Sequence, residues 1–218
     1  MRKRSRVLRL AGLVALLTAL ASCSRDERMR STERRGVEAF HSIELRGTGT
    51  LDVLVGEQQS LVVEADSESL KRLHTEVRNQ RLVIESRGGW FWENAGGQLR
   101  IRVTLPQLNA LDLNGAGRIS VNGLAGGALA LVLSGAGELE ASGRVETLTA
   151  RVNGAGSIDL SRLQATDATV AVNGAGSLQV NATGQLDAVL NGVGSITYDG
   201  KPTKLNSSIN GVGSIRPR

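Results

Sequence analysis

A seven-residue motif recurs six times in the second half of the 218-residue chain, and this repeat limits the possible folds more than any other feature. Each copy reads as an apolar residue, Asn or Ser, Gly, Ala or Val, Gly, a polar residue and a second apolar residue. The Asn or Ser positions recur every 18 to 20 residues, at Asn114, Ser134, Asn153, Asn173, Asn191 and Asn210. Such a fixed period with small drift is typical of a solenoid, in which each unit packs on its neighbours.

Apolar residues alternate with polar ones on both sides of each motif. Leu129, Leu131 and Leu133 precede the second copy, and Leu139 and Ala141 follow it. A period of two predicts strands that bury one face. A unit of about 19 residues without a helical pattern therefore predicts an all-β solenoid of short parallel strands, with successive coils about 4.8 Å apart.

The motif itself predicts the corner of each coil. Glycine adopts positive φ without a Cβ clash, and Asn tolerates left-handed geometry. We expect the central Ala or Val to point inward and the Asn side chains of successive coils to bond one another as a ladder. The predicted corner residues are Asn114, Gly115, Gly117, Ser134, Gly135, Gly137, Asn153, Gly154, Gly156, Asn173, Gly174, Gly176, Asn191, Gly192, Gly194, Asn210, Gly211 and Gly213.

Residues 36–108 are less regular than the repeats of residues 109–218. The sequence predicts strands at 40–45, 50–55, 60–65 and 99–105, a short helical turn at 67–73 capped by Ser67, and a hairpin around Asn79 and Gln80. We interpret this region as the entry coils and cap of the same solenoid, which gives one domain over residues 36–218. A separate small β domain is the alternative.

Residues 1–22 have the layout of a secretory signal, with five basic residues before an apolar run from Leu10 to Ala21. The run is shorter than a bilayer-spanning helix requires. Leu20-Ala21-Ser22-Cys23 resembles the lipobox of bacterial lipoproteins, and Cys23 is the chain's one cysteine. The resemblance implies acylation of Cys23, with residues 23–35 as a lipidated polar tether. Ser24 resembles the outer-membrane sorting pattern.

The formal net charge of +5 does not indicate a nucleic-acid partner. Residues 1–22 hold five of the 26 basic residues and no acidic ones, so the rest of the chain has 21 of each sign. A nucleic-acid footprint requires a basic domain face. We therefore expect no nucleic-acid partner. The expected partners are the membrane, through acyl chains on Cys23, and a glycan or an envelope protein as ligand.

Three of the five aromatic residues lie together as Trp90, Phe91 and Trp92, between glycine pairs and between two predicted strands. Aromatic rings on a loop are a common recognition device, so these three residues are candidate ligand contacts. The alternative is that they fold back over an open end of the core.

Patterns of catalysis and cofactor binding are missing from the sequence. The Gly-x-Gly motifs lack the third glycine of a dinucleotide fingerprint and lead into strands. Two histidines and one cysteine make a metal site improbable, and we expect neither metal nor cofactor. The acidic residues Asp112, Glu138, Glu140, Asp159, Asp187 and Asp199 occur at non-equivalent offsets, which favours a solvated face over an active site.

The repeated Asn/Ser-Gly-Ala-Gly-Ser units resemble the bacterial family described as putative auto-transporter adhesin, head GIN domain. The similarity runs from about Gly36 to Arg218 and includes the stretch from Ile196 to Pro202. It implies a single-stranded right-handed parallel β-helix of about 19 residues per coil, an export signal and an adhesion-type role. It implies no catalytic residue.

The sequence thus predicts a lipid-anchored protein of the bacterial cell envelope whose β-solenoid is a binding or adhesion-type module and not an enzyme. One alternative is a polysaccharide-active enzyme on a β-helix, which requires paired carboxylates about 5–10 Å apart in a groove. The other is a structural or signalling element that binds a second envelope protein. The oligomeric state is left open.

Overall fold

The computed structural model describes residues 31–86 and 99–218, and in these ranges the protein is all-β apart from one short helix. The strands form one sheet that does not close, and the prediction of an all-β protein is confirmed. The elements are β1 Ser31–Arg35, β2 Ser42–Val55, β3 Ser60–Ala65, α1 Ser67–Arg72, β4 Leu73–Arg78, β5 Arg81–Ser86, β6 Arg100–Leu105, β7 Ala110–Ala125, β8 Ala128–Val152, β9 Ala155–Ala182, β10 Gln185–Asp199, β11 Lys204–Ile209 and β12 Val212–Pro217.

The repeats lie side by side as parallel strands in the order β7, β8, β9, β10, β11, and β12 also pairs with β10. Equivalent residues of successive motifs are register partners. Leu113 pairs with Leu133, Leu139 with Ile158, and Leu190 with Ile209. The sequence period is therefore the pairing register of the sheet.

The alternating apolar residues point to one side and form a single hydrophobic core that extends from Phe40 to Ile196. Leu131, Leu133, Leu139 and many equivalent residues are fully buried, while their polar neighbours are partly or fully exposed. The core contains mainly Leu, Val, Ile and Ala, as the low aromatic content requires.

The longest strands turn at glycines and continue to pair beyond each turn, with register shifts between Val121 and Leu124 of β7 and between Glu140 and Ser142 of β8. Within β8, Gly135 has φ of +139° and Gly143 has φ of +129°. These backbone conformations are unfavourable for residues with a Cβ. The glycines allow a strand of 25 residues to change direction and still pair with β7 and β9.

The first half belongs to the same sheet through a pairing that skips a long stretch of sequence. β2 pairs in parallel with β7, so Gly47 lies beside Gly115 and Gly49 beside Gly117. Leu45 to Leu51 is thus a seventh, degenerate copy of the motif. On its other side β2 pairs with β5 and β6, which come later in the chain.

Antiparallel strands cover the end of the parallel stack beyond β5 and β6. β3 pairs antiparallel with β6 and β1 with β3, while β4 pairs antiparallel with β5. Residues 31–35, predicted as part of the polar tether, thus form a strand of the sheet. Arg35 ties β1 to this cap, because its guanidinium donates to the carbonyl oxygens of Leu70 and Leu73. The opposite end is open, and Leu205 and Ile209 of β11 are 41% and 44% exposed.

The two local predictions in the first half are confirmed, with one correction. The β4–β5 hairpin turns at Asn79 and Gln80, whose φ values of 50° and 60° suit a tight turn. The helical turn exists as α1, but Ser67 does not cap it. Asp66 is the N-cap, and its carboxylate accepts from the backbone amides of Glu68 and Ser69. A carboxylate is favoured there by the helix dipole.

Candidate functional site

The residues predicted for ligand contact and lipid attachment, Trp90, Phe91, Trp92 and Cys23, lie outside the described residues. The predicted corner residues lie inside the described ranges. Register pairing brings them together in a line that crosses the strands of the sheet. Gly154 and Gly174 are neighbours, as are Gly174 and Gly192. The structure also assembles a polar groove that the sequence did not predict.

Glycine is required at the corners because the backbones of successive repeats approach closely. A Cβ built on Gly176 would lie 2.5 Å from the carbonyl oxygen of Gly156. Gly174 meets a similar obstacle at Gly154 and also has φ of +143°. The corner is therefore a stack of bare backbone in which each repeat rests on the one before it.

The predicted asparagine ladder is present over the last four repeats. The side-chain amide of Asn173 donates to Asn153 Oδ1 at 2.9 Å, Asn191 to Asn173 at 2.8 Å, and Asn210 to Asn191 at 2.9 Å. Asn114 lies outside this ladder, because it donates to Glu44 Oε1 at 3.1 Å.

The prediction that the central Ala or Val points inward is wrong. Val193 is 60% and Val212 is 71% exposed, and Ala116, Ala136, Ala155 and Ala175 are exposed as well. The flanking glycines put the central residue at the outer apex of the turn, so its side chain points to solvent. Together with Thr48 these residues form a line of small side chains, the apex ridge, along the stack.

The segment with the three aromatic residues is inserted at this same corner. Ser86 lies beside Gly47, and Leu99 lies beside Gly49. These are the two glycines that flank Thr48 at the apex of the neighbouring unit. Residues 87–98 therefore occupy the chain position that a single apex residue fills in the other repeats.

A polar groove lies on the outer face where β4 and β5 join β2. Its volume is about 370 Å³, and its lining residues are Glu44, Arg46, Glu76, Arg78, Asn79, Arg81 and Val83. Register pairing places Glu76 beside Val83 and Val83 beside Glu44. Val83, only 6% exposed, lies between the two carboxylates.

Glu44 is the most buried charged residue of the groove, with 9% of its surface exposed. Its Oε1 accepts from Arg46 Nε at 2.7 Å and from the Asn114 amide. The hydrogen bond from Arg46 lowers the pKa of Glu44, although burial opposes this shift. Glu44 is therefore a carboxylate near neutral pH, held in place by its donors.

Arg81 connects Glu44 to Asp112 on the next strand. Its Nη1 lies 2.6 Å from Asp112 Oδ2 and 3.5 Å from Glu44 Oε2. Burial raises the pKa of Asp112 above its ordinary value, and the attraction of Arg81 offsets only part of this shift. Register pairing places Glu44 beside Asp112 on the adjacent strand. Arg81 binds both carboxylates, so the three side chains form one ion network.

Glu138 and Glu140 of the repeat region also pair with arginines, because Arg118 donates to Glu138 and Arg162 donates to Glu140. Asp187 instead accepts from the side-chain amides of Gln185 and Asn206. Within residues 31–86 and 99–218, no group of three His, Cys, Asp or Glu side chains is placed to hold a metal ion. In the same ranges no helix has the length and apolar character needed to cross a bilayer.

Sequence reasoning missed the polar groove because three separate strands supply its charged residues. One usable signal was the spacing of the charged residues. They recur two residues apart at 44 and 46 and at 76 and 78, and four residues apart at 81 and 85. Such alternation predicts one charged face per strand. It does not predict that these strands are neighbours.

A solved bacterial protein shares the fold. A crystal structure described as a putative adhesin from Bacteroides fragilis superposes with a TM-score of 0.69 at 21% identity, covering 87% of this chain and 97% of its own. At this identity the similarity concerns the fold alone. A putative lipid binding protein from Parabacteroides distasonis has 22% identity and a TM-score of 0.45, covering 87% and 96%.

No curated protein matches the chain. The sequence model of one family matches residues 39–202, which include strands β2 to β10 and five of the six predicted repeats. The match covers the polar groove, the position of the aromatic insertion and most of the apex ridge. The chain belongs to the family described as putative auto-transporter adhesin, head GIN domain.

Proposed function

We propose that this protein is a lipid-anchored component of the bacterial cell envelope and that its β domain is an adhesion-type binding module. Membership of an adhesin family supports the binding role. The observation that carries the proposal is the insertion of residues 87–98 between Ser86 and Leu99, at a corner that other repeats turn with one apex residue. An insertion that the fold does not need is a typical position for a binding loop.

Trp90, Phe91 and Trp92 are the ligand contacts in this proposal. They lie in the inserted segment, and aromatic side chains supply large contact areas in recognition sites. Thr48 of the apex ridge lies at the unit next to the chain position of the insertion. A glycan or an envelope protein is the expected partner.

The anchor in this proposal is Cys23, acylated after removal of residues 1–22 and retained at the outer membrane. Two or more acyl chains anchor a protein stably, because each buried methylene contributes about 0.8 kcal/mol. Residues 24–30 connect Cys23 to Ser31, where β1 begins at the outer edge of the cap. The capped end then faces the membrane, and β11 is distal.

We also infer that the parallel-paired strands within residues 36–218 wind as one right-handed β-helix with about 19 residues per coil, and that the antiparallel strands form its N-terminal cap. The parallel register between consecutive motifs supports this winding. Parallel connections within one sheet are almost always right-handed, which supports the hand. A crystal structure of the chain that shows a left-handed winding would contradict the inference.

The binding role is tested with the full chain, purified in a detergent without a sugar headgroup, and a Trp90→Ala/Trp92→Ala double variant. Both are incubated with isolated peptidoglycan sacculi, mucin glycans and outer-membrane protein extracts, and sedimented binding is measured. We expect one of these surfaces to bind the wild type at least tenfold more strongly than the double variant. Equal binding of both proteins to every surface would refute the aromatic contact, and no binding at all would refute the module.

The anchor is tested separately with Cys23→Ala and incorporation of an alkyne-labelled fatty acid in cells. The wild type should carry the label and sediment with outer membranes. Label that persists in the Cys23→Ala variant would exclude this attachment site. The outcome does not depend on any ligand.

A further inference from the structure

We propose that the polar groove defined above is a saccharide site that takes one neutral, hydroxyl-rich sugar unit of an oligosaccharide. The inference rests on the proposed binding function and assigns a ligand class to a second surface of the same module. It depends only on described residues, so it stands or falls independently of the aromatic insertion.

The groove presents acceptors and donors in separate rows. Glu76 and Glu44 lie in one row on either side of Val83, because these three residues are register partners across β4, β5 and β2. Arg78 and Arg81 pair with each other in the adjacent row. A sugar hydroxyl donates one hydrogen bond and accepts others, as serine and threonine hydroxyls do, so it can bridge a carboxylate row and a guanidinium row.

Ion pairs hold these side chains in position before any ligand binds. Arg46 Nε lies 2.7 Å from Glu44, and Arg78 Nη2 lies 2.9 Å from Glu76. Arginine has five N–H donors, so a guanidinium that binds one carboxylate keeps others for a ligand. Fixed side chains lose less conformational entropy on binding than free ones, which favours affinity for a small polar ligand.

The charge balance favours a neutral ligand over an ion. The lining holds three guanidinium groups and two carboxylates. Asp112, bound to Arg81, and Glu85, the register partner of Arg46, add two carboxylates behind the arginines, and His74 lies 3.6 Å from Glu76. An anion would meet Glu44 and Glu76, and a cation would meet the arginines. Hydroxyl groups satisfy both kinds of partner without burying an unpaired charge.

The size and the floor of the groove also suit a sugar ring. A volume of about 370 Å³ falls in the range of small-molecule sites, roughly 300–1,000 Å³. Val83 supplies an apolar centre against which the C–H face of a ring can pack. Asn79 at the hairpin turn adds an amide that both donates and accepts.

The test uses isothermal titration calorimetry on the full chain in detergent without a sugar headgroup. The probes are tetrasaccharides of N-acetylglucosamine, mannose, galactose and glucose, with a heparin tetrasaccharide and inorganic phosphate as anionic probes. The variants are Glu76→Gln and, as a matched control, Glu138→Gln, which removes the carboxylate of the Arg118 ion pair on another part of the sheet. Thermal melting of each variant reports folding.

We expect at least one neutral tetrasaccharide to bind, with affinity reduced about tenfold by Glu76→Gln and unchanged by Glu138→Gln. Binding of heparin or phosphate alone would overturn the assignment in favour of an anion site. Binding of no neutral probe, or equal effects of the two substitutions, would also overturn it. If Glu76→Gln fails to fold, Glu76→Ala and Asn79→Ala replace it under the same criterion. Sacculus or extract binding that persists without tetrasaccharide binding would leave the adhesion proposal standing.

Discussion

A methyl group added at Gly176 tests the close stacking of the corners. The Cβ of an alanine there would lie 2.5 Å from the carbonyl oxygen of Gly156 and 3.2 Å from Val152 Cγ1. Carbon–oxygen contacts between strands are normally about 3.3–3.6 Å, so the two repeats must separate locally by about 0.8 Å. A separation of that size stretches the adjoining N–H···O bonds beyond their usual range of about 2.7–3.2 Å.

The expected loss of stability follows from three contributions. Overpacking costs about 1–3 kcal/mol, and one or two weakened hydrogen bonds cost about 0.5–1.5 kcal/mol each. Alanine stiffens the unfolded chain relative to glycine, which offsets about 0.4–1 kcal/mol. At central values Gly176→Ala should lower the free energy of unfolding by about 2–3 kcal/mol.

Two other glycines serve as matched controls. Gly127 has φ of +78° with nothing within 4 Å of a built Cβ, so Gly127→Ala adds backbone strain of about 1–2 kcal/mol and no clash. Gly36 has neither feature, and Gly36→Ala should be neutral or slightly stabilising. Urea unfolding followed by far-ultraviolet circular dichroism should rank Gly176→Ala below Gly127→Ala and Gly127→Ala below Gly36→Ala. A Gly176→Ala variant as stable as Gly36→Ala would refute the close stacking.

Three further substitutions probe the ladder, the helix cap and the groove. Asn173→Ala removes a hydrogen bond to each neighbour in the ladder and should lower the free energy of urea unfolding by about 1–2 kcal/mol; no loss would mean that the ladder is not stabilising. Asp66→Ala should cost about 1 kcal/mol near neutral pH. Hydrogen bonds from Ser69 lower the pKa of Asp66, so this cost should shrink as the pH falls toward that pKa, and a constant cost in acid-titrated melts would contradict the cap. Glu44→Gln should destabilise near neutral pH by about 1.5–3 kcal/mol through its bond to Arg46. The pKa of Glu44 is also lowered, so the difference from wild type should vanish in acid, and urea unfolding at two pH values measures it.

Local pattern was sufficient to predict the regular part of the fold. Alternation around each motif predicted the strands, and the constant period predicted which residues become register partners, as with Leu113 and Leu133. Asn79 between two apolar segments predicted the hairpin, because Asn tolerates the left-handed geometry of a tight turn, and the structure has positive φ at Asn79 and Gln80. Each of these features depends on residues close in sequence or related by the repeat.

The apex orientation could not be predicted from composition alone. An apolar residue between two glycines suggested burial, but the direction of a side chain at a corner depends on the backbone conformation of its neighbours. Gly192 has φ of +142°, and Val193 after it is exposed. The exposure of the apex residue therefore follows from the backbone conformation of its glycine neighbour. The apolar character of the side chain does not decide its direction.

The polar groove was unpredictable for a different reason, since it depends on which strands pair across long sequence distances. Glu44 and Asp112 are neighbours only because β2 pairs with β7 and skips the intervening strands. Arg81 reaches both because β5 returns to the far side of β2. Neither pairing leaves a periodic mark in the sequence.

The repeat architecture also explains why the distinctive chemistry lies near the capped end. Stacked repeats with nearly the same sequence present the same outward residues at each level, as the asparagine ladder does from Asn153 to Asn210. A row of equivalent side chains offers many equal positions and no unique one. A site for one ligand unit needs neighbours that differ, and these occur where β5 and β4 interrupt the period beside β2. There Glu76, Val83 and Glu44 replace the repeated residues, and residues 87–98 replace the apex. We therefore expect recognition at the irregular end, with the regular repeats as its rigid support.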